Sequence, residues 1–406
     1  MTKALAYAGA GAALAILSAG PLLSQPGYET PPAFSPAQIL TPDLVRSPYH
    51  TIVGPVTVDG FLDRYQMQTK YGTFTVLGTD LLRMRVHEAA ATAHIEEIGS
   101  ADTLATSVGK TALKPLATAK DLVTAPGKTV SDSVKGVGSW FGRVDASLNA
   151  TDPGREGTVA SLTGGSKARR KLAYDFAVDP YTTFDPLNAE LKRVASASAI
   201  GETATNAGLA FVTGGAGIAI SVGGTSSDLR QALLDKTAAE LEKTGRQELS
   251  AMGISPSAID AFYATQWLTP TDKAVIVEAM MQLGDAGQRE VFVARTAQAS
   301  SYAEGFAYRR KAELTAAYHQ RVSPVRSFIN IGGTPLMQTA GGVVAILPMD
   351  FLYWSPQLER LISSAGTHGE IWITGTATQL ATRNLASRGW KVVPNVAGRL
   401  GQGPKL

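Results

Sequence analysis

The chain has 406 residues, 44% of them hydrophobic, and a formal charge of +3 at pH 7. That is long and apolar enough for about two or three globular domains and excludes disorder throughout. So mild a charge argues against wholesale nucleic-acid binding. The absence of cysteine excludes disulfides, thiolate metal clusters, a cysteine nucleophile and a lipoprotein anchor.

Met1-Thr2-Lys3 is followed by an uncharged run to residue 28, compactly apolar over 4–17 and then rich in small residues with Pro21. This is the layout of a secretory signal, with cleavage expected near Ser24 and delivery to the periplasm or cell envelope. The run also approaches the length of a membrane span, so an uncleaved N-terminal anchor is the alternative; its Gly and Ala content favours processing. Residues 25–48, rich in Pro and polar residues, read as an extended, mobile lead-in.

Residues 49–99 read as a β-hairpin plus helix module. Alternation over 56–58, 65–69 and 73–76 gives two or three antiparallel strands, with turns at Asp59-Gly60 and Gly72. Thr79 or Asp80 then caps a helix to about Ile98, its apolar positions recurring at helical period. The segment 100–171 is rich in Gly, Thr and Lys and ends in a polar linker. Within it Val130, Val134, Val137, Trp140, Phe141 and Val144 share one helix face, with Lys128, Lys135 and Arg143 between them. Trp140 and Phe141 beside Lys135 and Arg143 suit a helix lying on a membrane surface, and the same face suits packing against the protein body.

Residues 172–325 read as a helical array containing an apolar, Gly-rich run at 203–227, most apolar over 207–222. Burial and membrane insertion are both open for that run, and Gly214-Gly215 leaves neither half long enough to span a bilayer. Helices are expected over 229–236, 237–252, 257–266 and 271–283, and one long helix over 288–321. Thr237 with Glu240, Gly253 and Pro270 supply the start and stop signals. Residues 326–406 form a small β-α-β-α-β module with strands at 343–347, 370–374 and 390–393. Ser355-Pro356 starts its first helix, and Thr376 with Gln379 starts its second. The expected fold is thus mixed α+β and mostly helical.

Several motifs approach known chemistry and fall short. Gly109-Lys110-Thr111 and Gly127-Lys128-Thr129 end like a P-loop, but Leu104 and Leu122 stand where its first glycine belongs. Ser107-x-x-Lys110, Ser131-Asp132-Ser133 and Lys243-Thr244-Gly245 have the order of the β-lactamase motifs, yet the last lies inside an expected helix. His87 and His94 share a helix face about 10 Å apart. His94 with Glu97 supplies two metal ligands where zinc needs three or four, so no metal or other cofactor is assigned. No catalytic residue is assigned either. In the C-terminal module Thr374, Gly375 and Thr376 follow a strand and open a helix, and Asp350 follows the neighbouring strand. Together they are the candidate anion or ligand site.

Three stretches resemble an uncharacterised family of exported proteobacterial proteins. They are Asp59-Gly60-Phe61-Leu62-Asp63-Arg64-Tyr65 with Tyr71-Gly72-Thr73-Phe74, Asp179-Pro180-Tyr181-Thr182, and Ile371-Trp372-Ile373-Thr374-Gly375 with Gly389-Trp390. The resemblance implies export and carries no activity, ligand or catalytic residue. The expectation is a non-enzymatic envelope protein with a scaffold or binding role, its partner an envelope protein or the membrane surface. The alternative is a periplasmic hydrolase assembled from Asp350, Thr374 and a histidine.

Overall fold

The computed structural model describes residues 27–99, 164–196, 227–363, 365 and 368–401. The fold is mixed α+β and mostly helical, with an N-terminal sheet and helix and a β-rich C-terminal module. Among the described residues no helix is long and apolar enough to cross a membrane. The signal-like residues 1–24, both P-loop-like stretches, the face carrying Lys135, Trp140, Phe141 and Arg143, and the apolar run over 207–222 lie outside the described residues.

The lead-in is built rather than loose. Two one-turn helices, α1 (Pro36–Ile39) and α2 (Pro42–Val45), each begin on a proline whose fixed φ suits a first helical position. Bridges from Phe34 to Val56 and from Arg46 to Thr51 lay this stretch along the edge of the first sheet. Upstream, Tyr28 and Glu29 reach the far end of the chain. The Glu29 N–H donates to Trp354 O at 2.8 Å. Its carboxylate accepts from the Trp354 N–H and the Thr378 hydroxyl, each at 2.6 Å. The Tyr28 hydroxyl donates to Glu359.

Strands β1 (Thr51–Asp59), β2 (Leu62–Thr69) and β3 (Gly72–Leu77) form an antiparallel meander. Gly60 and Gly72 make the tight turns at φ of +64° and +134°. Helix α3 (Thr79–Gly99) follows at once, its small Ala89, Ala90, Ala91 and Ala93 all buried.

The middle is helical. Helices α4 (Gly164–Asp175), which begins inside the stretch expected to be a polar linker, and α5 (Asp185–Ser196) come as corrections: their Leu172, Leu187 and Leu191 are buried in the core and make helices of them. Helices α6 (Ser227–Asp235), α7 (Ala238–Ala251), α8 (Pro256–Ala264) and α9 (Pro270–Met281) fall near the expected spans. Thr237 with Glu240, and Thr269 with Asp272, close complete capping boxes. Lys243-Thr244-Gly245 lies inside α7, where Gly245 is buried beneath Tyr263. The single helix expected over 288–321 is two, α10 (Arg289–Thr296) and α11 (Tyr302–Arg321). The Ser301 hydroxyl accepts the Glu304 N–H at 3.2 Å and restarts the chain there. From Tyr302 to Tyr318 every residue of α11 is buried, so this helix is the axis around which the rest packs.

The C-terminal sheet is larger than expected. Strands β6 (Gly342–Leu347), β8 (Gly369–Ile373) and β10 (Trp390–Val393) are the anticipated parallel set. A hairpin of β4 (Val325–Ile331) and β5 (Thr334–Thr339), turning at Gly332-Gly333 with positive φ, extends them to five in the order β10-β8-β6-β5-β4. Helices α12 (Pro356–Ser363), α13 (Gln379–Ala386) and α14 (Val396–Arg399) complete the module. A parallel pair of two-residue strands, β7 (Phe351–Leu352) and β9 (Thr376–Ala377), lies beside them. One sheet face joins the helical core through Trp372 and Val344, and the other holds Leu347, Ile371 and Trp390. Phe61, from the β1–β2 turn, is buried in that second core, so the first and last modules share an interior.

Candidate functional site

Asp350, Thr374, Gly375 and Thr376 do come together, but as a structural joint. The Gly375 N–H donates to Met349 O at 2.7 Å, the Thr376 N–H to Asp350 O at 3.0 Å, and the Thr374 hydroxyl to Met349 O at 3.0 Å. The amides expected to be free for an anion are therefore taken up in the β7–β9 pairing. The cap of α13 lies two residues later than expected, with the Thr378 hydroxyl accepting the Ala381 N–H at 3.0 Å. The physical reason is local closeness: a Cβ on Gly375 would fall 1.9 Å from Asp350 O, so the two backbones touch and satisfy each other.

The Asp350 side chain points to the other end of the sequence. Its Oδ2 accepts the Asp63 N–H at 3.0 Å and the Thr79 N–H at 3.1 Å. It thereby caps the start of α3 in place of a local side chain, where the helix dipole welcomes negative charge. The backbone completes the joint, with Phe61 O accepting the N–H groups of Asp350 at 3.0 Å and Phe351 at 3.2 Å. Asp63 is itself 6% exposed. Its Oδ2 accepts from the Tyr65 hydroxyl at 3.2 Å, Tyr65 also meets Thr79 Oγ1 at 2.7 Å, and Asp63 Oδ1 is buried with no hydrogen-bond partner. Burial and the nearby Asp63 carboxylate push Asp350 well above the usual carboxylate range, and burial does the same to Asp63.

A buried chain of charge runs on from this joint. Asp80, next to Thr79, accepts from Arg310 Nε at 3.0 Å. Arg310 also donates to Glu313, which accepts from Arg309 Nε at 3.2 Å. Arg309 Nη1 reaches Asp272 at 3.0 Å, and Asp272 holds the Thr269 N–H at 3.0 Å. Beside it Arg85 pairs with Glu88 at 2.5 Å, and Glu88 accepts from Thr182. Asp179 takes the Thr271 hydroxyl at 2.5 Å and the Tyr181 N–H at 2.8 Å; burial, with Asp272 adding repulsion, pushes it up to about 6. Each ion is stripped of water at a cost of several kcal/mol, which these partners must offset.

Lys311 stands apart from the chain. It is 2% exposed, and its Nζ donates to Pro335 O at 2.6 Å. Burial, with Arg295 adding repulsion, pushes it down to about 7. Four of the five histidines are tied into the framework. His50 meets Ser47 Oγ at 2.8 Å and Leu44 O at 2.9 Å, and His87 meets Phe176 O at 3.1 Å. His94 meets the Tyr49 hydroxyl at 2.9 Å, and His319 accepts the Val325 N–H at 3.1 Å.

The stretches around Asp63 and Gly375 supply this joint, and that around Pro180 holds Asp179 and Thr182. Sequence reasoning missed the Asp63 partner and the whole ionic chain. One signal was present: Arg309, Arg310 and Glu313 share one face of α11 while Glu304 and Lys311 lie on the opposite one, leaving no single solvated face for them. Comparison with known proteins finds no matching family model, no similar curated protein and no similar solved structure.

Proposed function

We propose that the chain is an exported, non-enzymatic envelope protein that acts as a scaffold or binding element for an envelope partner. The supporting observation is how Asp350 is used. The carboxylate best placed by sequence for ligand or acid chemistry is occupied by the backbone N–H groups of Asp63 and Thr79, and the neighbouring amides of Gly375 and Thr376 by carbonyls. Groups spent in this way hold elements together and keep nothing in reserve for a substrate. Export is supported by the signal-like layout of residues 1–24. The resemblance to exported proteobacterial proteins points the same way. Cell fractionation with N-terminal sequencing tests the location: a shortened chain outside the cytoplasm is expected, and a full-length chain in the cytosol would overturn it. Asp350→Asn tests the role, since a structural carboxylate predicts lower stability with partner capture from the envelope otherwise retained. Hydrolase turnover abolished by Asp350→Asn in a still-folded chain would overturn the non-enzymatic reading.

A further inference from the structure

The oxygens of Asp63 and Asp350 are unequally supplied. Asp350 takes two backbone N–H groups, whereas Asp63 Oδ1 is buried with none. The ionisable groups facing them are Tyr65 on β2 and Asp80 on α3. The cation beyond, Arg310 on α11, is engaged by Asp80 and Glu313. Asp63 and Asp350 thus meet in one dry junction, with the partly exposed Asp80 at its edge and the positive charge beyond it already committed. Two like charges in low dielectric repel strongly, and a proton on Asp63 removes the repulsion and leaves its orphaned oxygen on a neutral carboxyl, where lacking a partner costs less than on a carboxylate.

We propose that the Asp63–Asp350 junction is a proton-held clasp between the first sheet and the C-terminal module, closed while the pair keeps a proton and loosened when it is lost. The inference rests on this geometry and stands whether or not the chain is exported. Opening separates the Asp63 and Thr79 amides from Asp350 and draws Phe61 from the second core. In the open state both carboxyls meet water and ionise at ordinary values, so rising pH favours opening and falling pH favours closure.

The test is amide hydrogen exchange of the full chain at about pH 5 and about pH 8, corrected for intrinsic rates, with α9 amides as the reference for global unfolding. Protection at Asp63 and Thr79 is expected to fall at least about tenfold at the higher pH, and Asp63→Asn to remove that fall. Equal protection at both pH values, or an undiminished fall in Asp63→Asn, would overturn the clasp. Where that variant does not fold, carbon-13 titration of the two carboxyls in the parent decides. Apparent values above the ordinary carboxylate range support the clasp, and two ordinary titrations refute it. Calcium chloride at the higher pH is the control for a cation holding the pair instead. Restored protection would overturn the proton, and no effect supports it.

Discussion

Arg309 on α11 and Asp272 at the start of α9 form an ion pair, Nη1 to Oδ1 at 3.0 Å, with side chains 4% and 0% exposed. Asp272 is doubly committed, because its other oxygen closes the capping box on Thr269. Arg309→Met keeps an apolar stem but removes the guanidinium, which leaves Asp272 without its cation and Glu313 with Arg310 alone. The expected cost is about 3–5 kcal/mol, read from urea unfolding. A loss below about 1 kcal/mol would show that the pair lies in effectively wet surroundings.

Lys311 and Asp179 give stability opposite slopes in different pH windows. Asp179 has a raised folded value of about 6, so its contribution is full below the ordinary aspartate range and lost as pH rises through about 6. Lys311 has a depressed folded value of about 7. The unfolded chain therefore binds the extra proton above it, and stability rises from about pH 7 toward 10. Lys311→Met is expected to flatten the alkaline limb alone, measured by unfolding across that range. A limb unchanged in the variant would remove Lys311 as its cause.

Gly375→Ala places a methyl group where Asp350 O already lies, 1.9 Å from the ideal Cβ. Both partners are backbone, so relief requires parting β7 from β9. A loss of about 3 kcal/mol or more is expected in thermal or urea unfolding. Gly54→Ala, where a Cβ meets nothing within 4 Å, is the comparison: its strain is confined to a φ of +69°, and about 1 kcal/mol is expected.

The legible parts of this fold were those with a local cause. Turn glycines, the Thr237–Glu240 capping box and the apolar alternation of β6, β8 and β10 are each visible within a few residues, and those elements stand where expected. The β4–β5 hairpin was not legible, because Arg326, Ser327, Asn330 and Gln338 interrupt its apolar alternation and it is held by its neighbours β6 and Gly287. At the candidate site, Asp350 and Gly375 were picked out correctly as neighbours for the wrong physical reason. Free amides after a strand suggest an anion site, while the decisive partner of Asp350 lies 287 residues away at Asp63. Nothing in either local sequence encodes that meeting.

The acceptor that caps α3 is also a clock. Thr79 precedes Asp350 by 271 positions. At a synthesis rate of ~5–20 residues per second, the start of that helix waits roughly 14 to 54 s for its carboxylate. Glu29 waits longer still for Thr378. The first sheet emerges early and is finished late, and it stays short of these contacts until most of the chain has appeared. Long sequence separation here defers folding to the end of synthesis.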